Sequence, residues 1–455
     1  LNDDGQAGPM SWDNNGTIVY TNSHLQLGGY FVQSDMGTLT RTAGELSIVG
    51  TLDNTAATFT LTNALGNVNL GSSGRILNGT VAGPRTLIAR SGTVDAVTIT
   101  APVTIDQSHY LYVEHGLTLN SILTIGGADN SYGVLQFNGL SQTFGGTGSV
   151  EHLGTGLTYI YNSTLDAGVG ATLTIGSGIE IDAGSVANII STYNDGKIIN
   201  NGTITLDAEN IVGLGTSSIG SSATKFVNNG SINVLNNASA LLINLEGNAN
   251  TIYTSGLGSW LKITGVYTIN LVTNVANRST MFFDGTWTRT ASMNISGTAI
   301  FEHGNDAGAT FNSIKNAVIS GYAGGAWNGN GLRDSVAATT PKYTLGYGAS
   351  SVIVGSLGGN FNNLFVDETA TIVHHTLDAD FNFDNTVNFA DLLKLAQNYG
   401  LSGKNFTDGD VDFNGTVVFT DLLVVAQLYG QNAFSSTAIT NMLDRESTDA
   451  RSTLK

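Results

Sequence analysis

Pairs of apolar residues set two apart, each echoed six residues later, constrain this chain more than any other feature. Val97 and Ile99 are followed by Val103 and Ile105, Leu117 and Leu119 by Leu123 and Ile125, and Leu173 and Ile175 by Ile179 and Ile181. A period of two is that of a strand with one buried face. Strands this short bury a core only when others of the same kind stack on them. A longer echo sets Ile198-Ile199-Asn200-Asn201-Gly202-Thr203-Ile204 against Phe226-Val227-Asn228-Asn229-Gly230-Ser231-Ile232, 28 residues on. Asn-Gly is also a hairpin signal, which brings an antiparallel sandwich into consideration. The number and brevity of the repeats and the scarcity of charged faces favour a mainly β chain built on a parallel β-solenoid over residues 46–320. Its coils would bury Ile, Leu and Val and ladder Thr and Asn along their turns. Right-handed winding is the expectation.

The flanking segments differ in texture. Residues 1–45, with Trp12, Tyr20, Tyr30 and Phe31, are the candidate N-terminal cap, since a first coil exposes a strand edge that needs cover. Residues 321–376 read as a small β-module. Residues 377–431 contain two copies of one pattern, and 432–455 form a polar C-terminal tail. The solenoid region resembles the autotransporter-associated β-strand repeats of large bacterial surface proteins.

The two copies run Asp380 to Gly400 and Asp410 to Gly430, and 12 of their 21 positions are identical. Each opens with oxygen-bearing side chains at positions 1, 3 and 5 and places Asp at position 12: Asp380, Asn382, Asp384 and Asp391, then Asp410, Asp412, Asn414 and Asp421. Ca²⁺ takes six to eight oxygens, and a loop of about 12 residues can wrap it with alternate side chains turned inward and a backbone carbonyl at position 7. Thr386 and Thr416 stand there. Position 9 acts through water and suits Asn388, whereas Val418 has no side-chain oxygen to offer. Gly415 and Asn385 occupy the sharp turn at position 6. Each loop runs into an apolar helical pattern stopped by Gly400 or Gly430.

These residues resemble the bacterial dockerin type I domain, a pair of loop-helix halves lacking the entering helix of an EF-hand, over about 55 residues. The resemblance implies two Ca²⁺ ions and a pseudo-twofold pair of antiparallel helices. Cohesin-binding dockerins commonly carry small hydroxyl residues at positions 10 and 11, where this chain has Phe389, Ala390, Phe419 and Thr420. That departure points to a different partner. The module 321–376 resembles one that precedes dockerin pairs in surface proteins.

Composition narrows the function classes. With 17 Lys+Arg against 35 Asp+Glu, the net charge of -18 leaves no basic patch to displace counterions from nucleic acid. Cysteine is absent, so an exported chain needs another staple, and calcium is one. The chain opens on Leu1 and has no apolar run long enough to span a bilayer. It reads as a secreted or cell-surface chain whose signal peptide is gone.

The sequence offers little toward catalysis. Glu114-His115, Glu151-His152 and Glu302-His303 are adjacent pairs, which alternation should place on opposite strand faces. His374-His375 reads as a strand-end pair. Glu180 and Asp182, two apart, share a face at a separation compatible with a glycosidase pair, though such spacing arises easily by chance. Arg75, Arg85, Arg90 and Lys197 share no context that would make one a lyase base. The expected function is therefore a non-enzymatic extracellular structural protein, joined head-to-tail to copies of itself into a filament or surface layer through its calcium-loaded C-terminal end. The alternatives are a secreted polysaccharide lyase or hydrolase, and an adhesin that takes surface polysaccharide on Trp260, Trp287 and Trp327.

Overall fold

The computed structural model describes residues 11–126, 131–153, 156–163, 170–183, 187–191, 196–207, 217–248, 251–269, 273–276, 278–302, 311–362 and 364–433. His303 and the tail from 434 onward lie outside them. The chain is mainly β, a parallel β-solenoid of about 12 turns with a few short helices toward the C-terminal end. It divides into two compact units, Leu1–Thr251 and Ile252–Lys455.

In the first unit the six-residue echo marks a corner. Leu117 and Leu119 end the strand His109–Leu119, and Leu123 and Ile125 belong to the next, Ile122–Gly126, which pairs into a different sheet. The same holds for Val97/Ile99 against Val103/Ile105 and for Leu173/Ile175 against Ile181, with Ile179 immediately before its strand. Parallel register then places like on like. Leu46, Val68, Leu87, Val103, Leu123, Val150, Ile181, Ile204 and Ile232 form one column through successive coils, each at most 1% exposed. Ser23–Leu27 and Tyr30–Val32 already pair in parallel with the strands Gly44–Ile48 and Thr51–Asp53. Trp12 packs tilted on Phe31 at 5.0 Å and donates its indole N–H to the Gly28 carbonyl at 2.6 Å.

The 28-residue echo is one full coil. Ile198 pairs with Phe226 and Asn200 with Asn228. Asn200 and Asn228 are fully buried, and the Asn200 amide donates to Asn228 Oδ1 at 2.9 Å while its oxygen accepts from the Gly202 N–H at 3.1 Å. The Asn-Gly dipeptides turn corners between stacked coils. Coils pass so closely there that a Cβ on Gly230 would lie 1.9 Å from the Gly202 carbonyl oxygen.

The second unit opens with the same parallel pairing and ends differently. Phe283 stacks on Phe301 at 4.9 Å, and Trp287 packs on Phe301 at 5.1 Å. The strand Thr298–Phe301 then meets Thr371–Leu377 antiparallel, and Thr371–Leu377 also pairs antiparallel with Tyr343–Ala349. The helix Phe311–Tyr322 buries Ile314, Ala317, Val318 and Gly321.

The buried asparagine ladder supplies a test. Asn200→Ala takes the donor from Asn228 Oδ1 and the acceptor from the Gly202 amide, and should cost about 1–3 kcal/mol, read from the shift of the urea-unfolding curve. Asn201→Ala removes only the exposed rung to Asn229 and should cost well under half as much.

Candidate metal centre

Alternation within the two loops does two jobs at once. The odd positions 1, 3 and 5 carry the oxygen ligands, while the even positions 2 and 4 carry Phe381 and Phe383, or Val411 and Phe413, all buried. Position 4 is left-handed in both loops (φ +60 at Phe383, +58 at Phe413), as is position 6 (φ +69 at Asn385, +84 at Gly415). A bulky residue there costs on the order of 1–2 kcal/mol, offset by burying its ring. Phe383, Phe406 and Phe413 pack together, and Phe413 meets Tyr322 at 4.8 Å and Tyr347 at 5.8 Å. The loops thus share an aromatic core with residues 322–347. The ligand pattern does not point to these phenylalanines; their recurrence at position 4 of both copies is the signal for them.

Position 12 closes each loop. Asp391 accepts the Phe381 N–H at 2.8 Å on one oxygen and the Asn388 N–H at 2.9 Å on the other. Asp421 repeats this with Val411 at 2.9 Å and Val418 at 2.8 Å. Both carboxylates also lie in the first turn of the exit helices, Phe389–Asn398 and Phe419–Leu428, where the helix dipole favours a negative charge. At position 1, Asp380 accepts the Asp384 and Asn385 N–H groups at 3.1 and 2.9 Å and the Thr376 hydroxyl.

The duplication extends to how the halves hold each other. Val387 donates to the Gln431 carbonyl at 3.0 Å and accepts from Gly430 at 2.8 Å. Thirty residues on, Val417 donates to Leu401 at 3.1 Å and accepts from Gly400 at 2.8 Å. Each loop's position 8 is therefore tied to the chain leaving the other half's helix, a reciprocal, pseudo-twofold pairing.

The second loop carries the sharper fit to a cation. Asp410, Asp412 and Asp421 each bring a carboxylate oxygen within 4.8 Å of the others. Asp410 accepts the Gly415 N–H at 2.9 Å on Oδ2, while its buried Oδ1 has no hydrogen-bond partner. Burial pushes the Asp410 carboxyl up to about 6, with Asp412 and Asp421 adding to it, and burial pushes Asp380 up to about 7. Asn414 donates to Asp412 and accepts from the Thr416 N–H at 2.8 Å. In the first loop Asp384 receives the side-chain amides of Asn382 at 2.8 Å and Asn388 at 3.3 Å, and accepts the Thr386 N–H at 2.9 Å. The Asn388 oxygen caps the exit helix at Ala390 N, and its amide lies 3.4 Å from the Thr386 carbonyl. Oxygen donors at alternate positions, a buried carboxylate oxygen without a donor and closely set like charges fit a hard divalent cation.

Glu180 and Asp182 share the outer face of one strand and are exposed, in register with Ser149 and Glu151. Glu151 and His152 alternate as expected, with His152 Nδ1 2.5 Å from the Thr158 hydroxyl. The expectation for Glu114-His115 is corrected: Asp95, Glu114 and His115 form one cluster with ligand atoms within 4.8 Å. His115 and Gly116 are left-handed, which breaks the strand's alternation. Arg75 bonds both Asp95 and Glu114, so the cluster is an ion-pair network, and Arg90 bridges Glu45 and Asp106 in a second. His374 and His375 are buried in the strand Thr371–Leu377. Burial, helped by His375, holds His374 down at about 4, and His375 Nδ1 lies 2.5 Å from Asp334. The tryptophan expectation is also corrected: Trp287 and Trp327 are 3% and 4% exposed and belong to the core.

Comparison with known protein families, curated proteins and solved structures returns no match. The dockerin and autotransporter-repeat resemblances therefore have no matching family behind them, and the metal reading stands on loop geometry. Calorimetric titration of chelated protein with Ca²⁺ is expected to count two sites, with Asp391→Ala and Asp421→Ala each leaving one. A count of zero at millimolar Ca²⁺ would sink the metal reading.

Proposed function

We propose that the two loops hold Ca²⁺ in a dockerin-like pair, and that the chain is a non-enzymatic extracellular structural protein whose calcium-stapled end joins it to copies of itself. The observation that carries this reading is the surface of the two exit helices. Phe389 and Phe419 are 64% and 65% exposed, Leu393 and Leu423 44% and 47%, and Tyr399 and Tyr429 49% and 51%. Ala390 or Thr420, Ala396 or Ala426, and Gln397 or Gln427 are exposed with them and uncharged, and the half-buried Lys394 is the one basic residue on either helix. Large apolar side chains held in water at matched positions mark an interaction surface.

The absence of exposed acidic charge on the helices favours a second copy as the partner. Two chains of net charge -18 repel, and they approach at least cost through a patch that contributes nothing to that repulsion. Contact between this patch and a different surface of the next copy is heterologous and generates an open filament when its rotation does not close. Calcium enters because two short helices bury too little surface to hold the face in place alone, so ligand binding is folding energy for this segment.

Electron microscopy and light scattering with and without Ca²⁺ test the reading. Phe389→Glu combined with Phe419→Glu should leave both calcium sites titrating while assembly is lost. Chelation should return filaments to monomers, with helical circular dichroism lost and the β signal kept. Protein that stays monomeric in Ca²⁺, or filaments that survive full chelation, would place the joint elsewhere.

A further inference from the structure

Three successive coils of the first unit depart from the rule that governs its outer surface. Solvent-facing strand positions elsewhere in this unit are dominated by Thr, as at Thr93, Thr104, Thr124 and Thr203. The strands His109–Leu119, Gly133–Asn138 and Thr158–Ser163, stacked in parallel register, carry four tyrosines instead, and a fifth, Tyr132, stands immediately before the middle strand. Tyr110 stacks on Tyr112 at 5.3 Å and Tyr159 on Tyr161 at 5.3 Å. Tyr132 stands edge-on to Tyr110 at 6.3 Å and to Tyr159 at 6.4 Å, linking the two pairs. Val134 lies in register between Tyr110 and Tyr159 and is only 2% exposed. Gln136 lies between Tyr112 and Tyr161, and its amide donates to Asn138 Oδ1 at 2.8 Å.

We infer that this tyrosine band is a binding platform for an uncharged polysaccharide. Its rings lie outside the inward-facing core formed by Leu111, Val113, Leu135, Phe137 and Ile160, so closing the solenoid does not require them. Aromatic rings receive the C–H faces of pyranose units, while phenol hydroxyls and the Gln136 and Asn138 amides suit sugar hydroxyls. None of these seven side chains is charged, and burial with the neighbouring Tyr159 and Tyr110 pushes the Tyr161 phenol up to about 12, well clear of ionisation at neutral pH. A chain of net charge -18 repels acidic polymers and favours a neutral one. The two stacked pairs are two strand spacings apart, about 9.6 Å, close to the length of one disaccharide. Alternate sugars of an extended chain can therefore meet successive pairs.

The test is calorimetry of the full-length protein with cello-, xylo-, malto- and laminari-hexaose, with polygalacturonate and a proline-rich peptide as competing classes. At least one neutral hexaose should bind. Tyr132→Ala, at the most exposed ring, should weaken binding by about tenfold or more, a typical loss for an aromatic anchor. Tyr132→Phe, which keeps the ring, should lose far less. Tyr159→Ala should add to the loss, with an unchanged circular dichroism spectrum required of it; if that variant does not fold, the Tyr132 pair decides alone. The inference is overturned if no neutral hexaose binds, if binding is unaltered in Tyr132→Ala, or if polygalacturonate or the peptide binds more tightly than every sugar.

Discussion

Parallel in-register stacking is the constraint from which most of this molecule follows. Strands in a ladder recur at about 4.8 Å, so each buried side chain meets the residue one coil earlier and one coil later. The column from Leu46 to Ile232 is apolar throughout because a polar member would leave two neighbours facing an unsatisfied group. Asn200 and Asn228 enter the buried ladder as a like pair able to bond each other. Coil length is free to vary, from 16 residues between Leu87 and Val103 to 31 between Val150 and Ile181, because corners and bulges absorb the difference while the column is kept.

How far this could be read from the chain depends on which signals are local. The apolar pairs six apart are local, and they mark two strands around one corner. The 28-residue echo of Ile198 to Ile204 is also visible because neighbouring coils repeat both their ladder and their turn. Glu114 and His115 misled because the left-handed pair His115-Gly116 reverses strand alternation, and only the glycine hints at it. The tryptophans misled for another reason: size makes an aromatic a candidate platform, but Trp287 fills the space beside Phe283 and Phe301, which only the stacking partners reveal. The tyrosine band is spread over Tyr110 to Tyr161 and becomes one surface only when three coils are superposed.

The two loops show a single alternation serving opposed demands. Carboxylates and amides at odd positions need water or a cation, and phenylalanines at even positions need a core. Turning the chain left-handed at position 4 satisfies both, and Tyr322 and Tyr347 supply the core. A pattern that reads as a polar acidic loop is, in space, half of a hydrophobic wall.

The strand Thr371–Leu377 has a consequence of a different kind. It runs antiparallel to Thr298–Phe301, so the direction of pairing reverses where the coils of the second unit end. A reversed strand cannot template another coil in parallel, and the edge that would otherwise recruit stray chains is occupied. Evolution can then lengthen or shorten the stacked region by whole coils, through duplication or deletion upstream, while the terminus that follows keeps its structure. Coil number becomes a quantity that selection can adjust without rebuilding the loops and helices that follow.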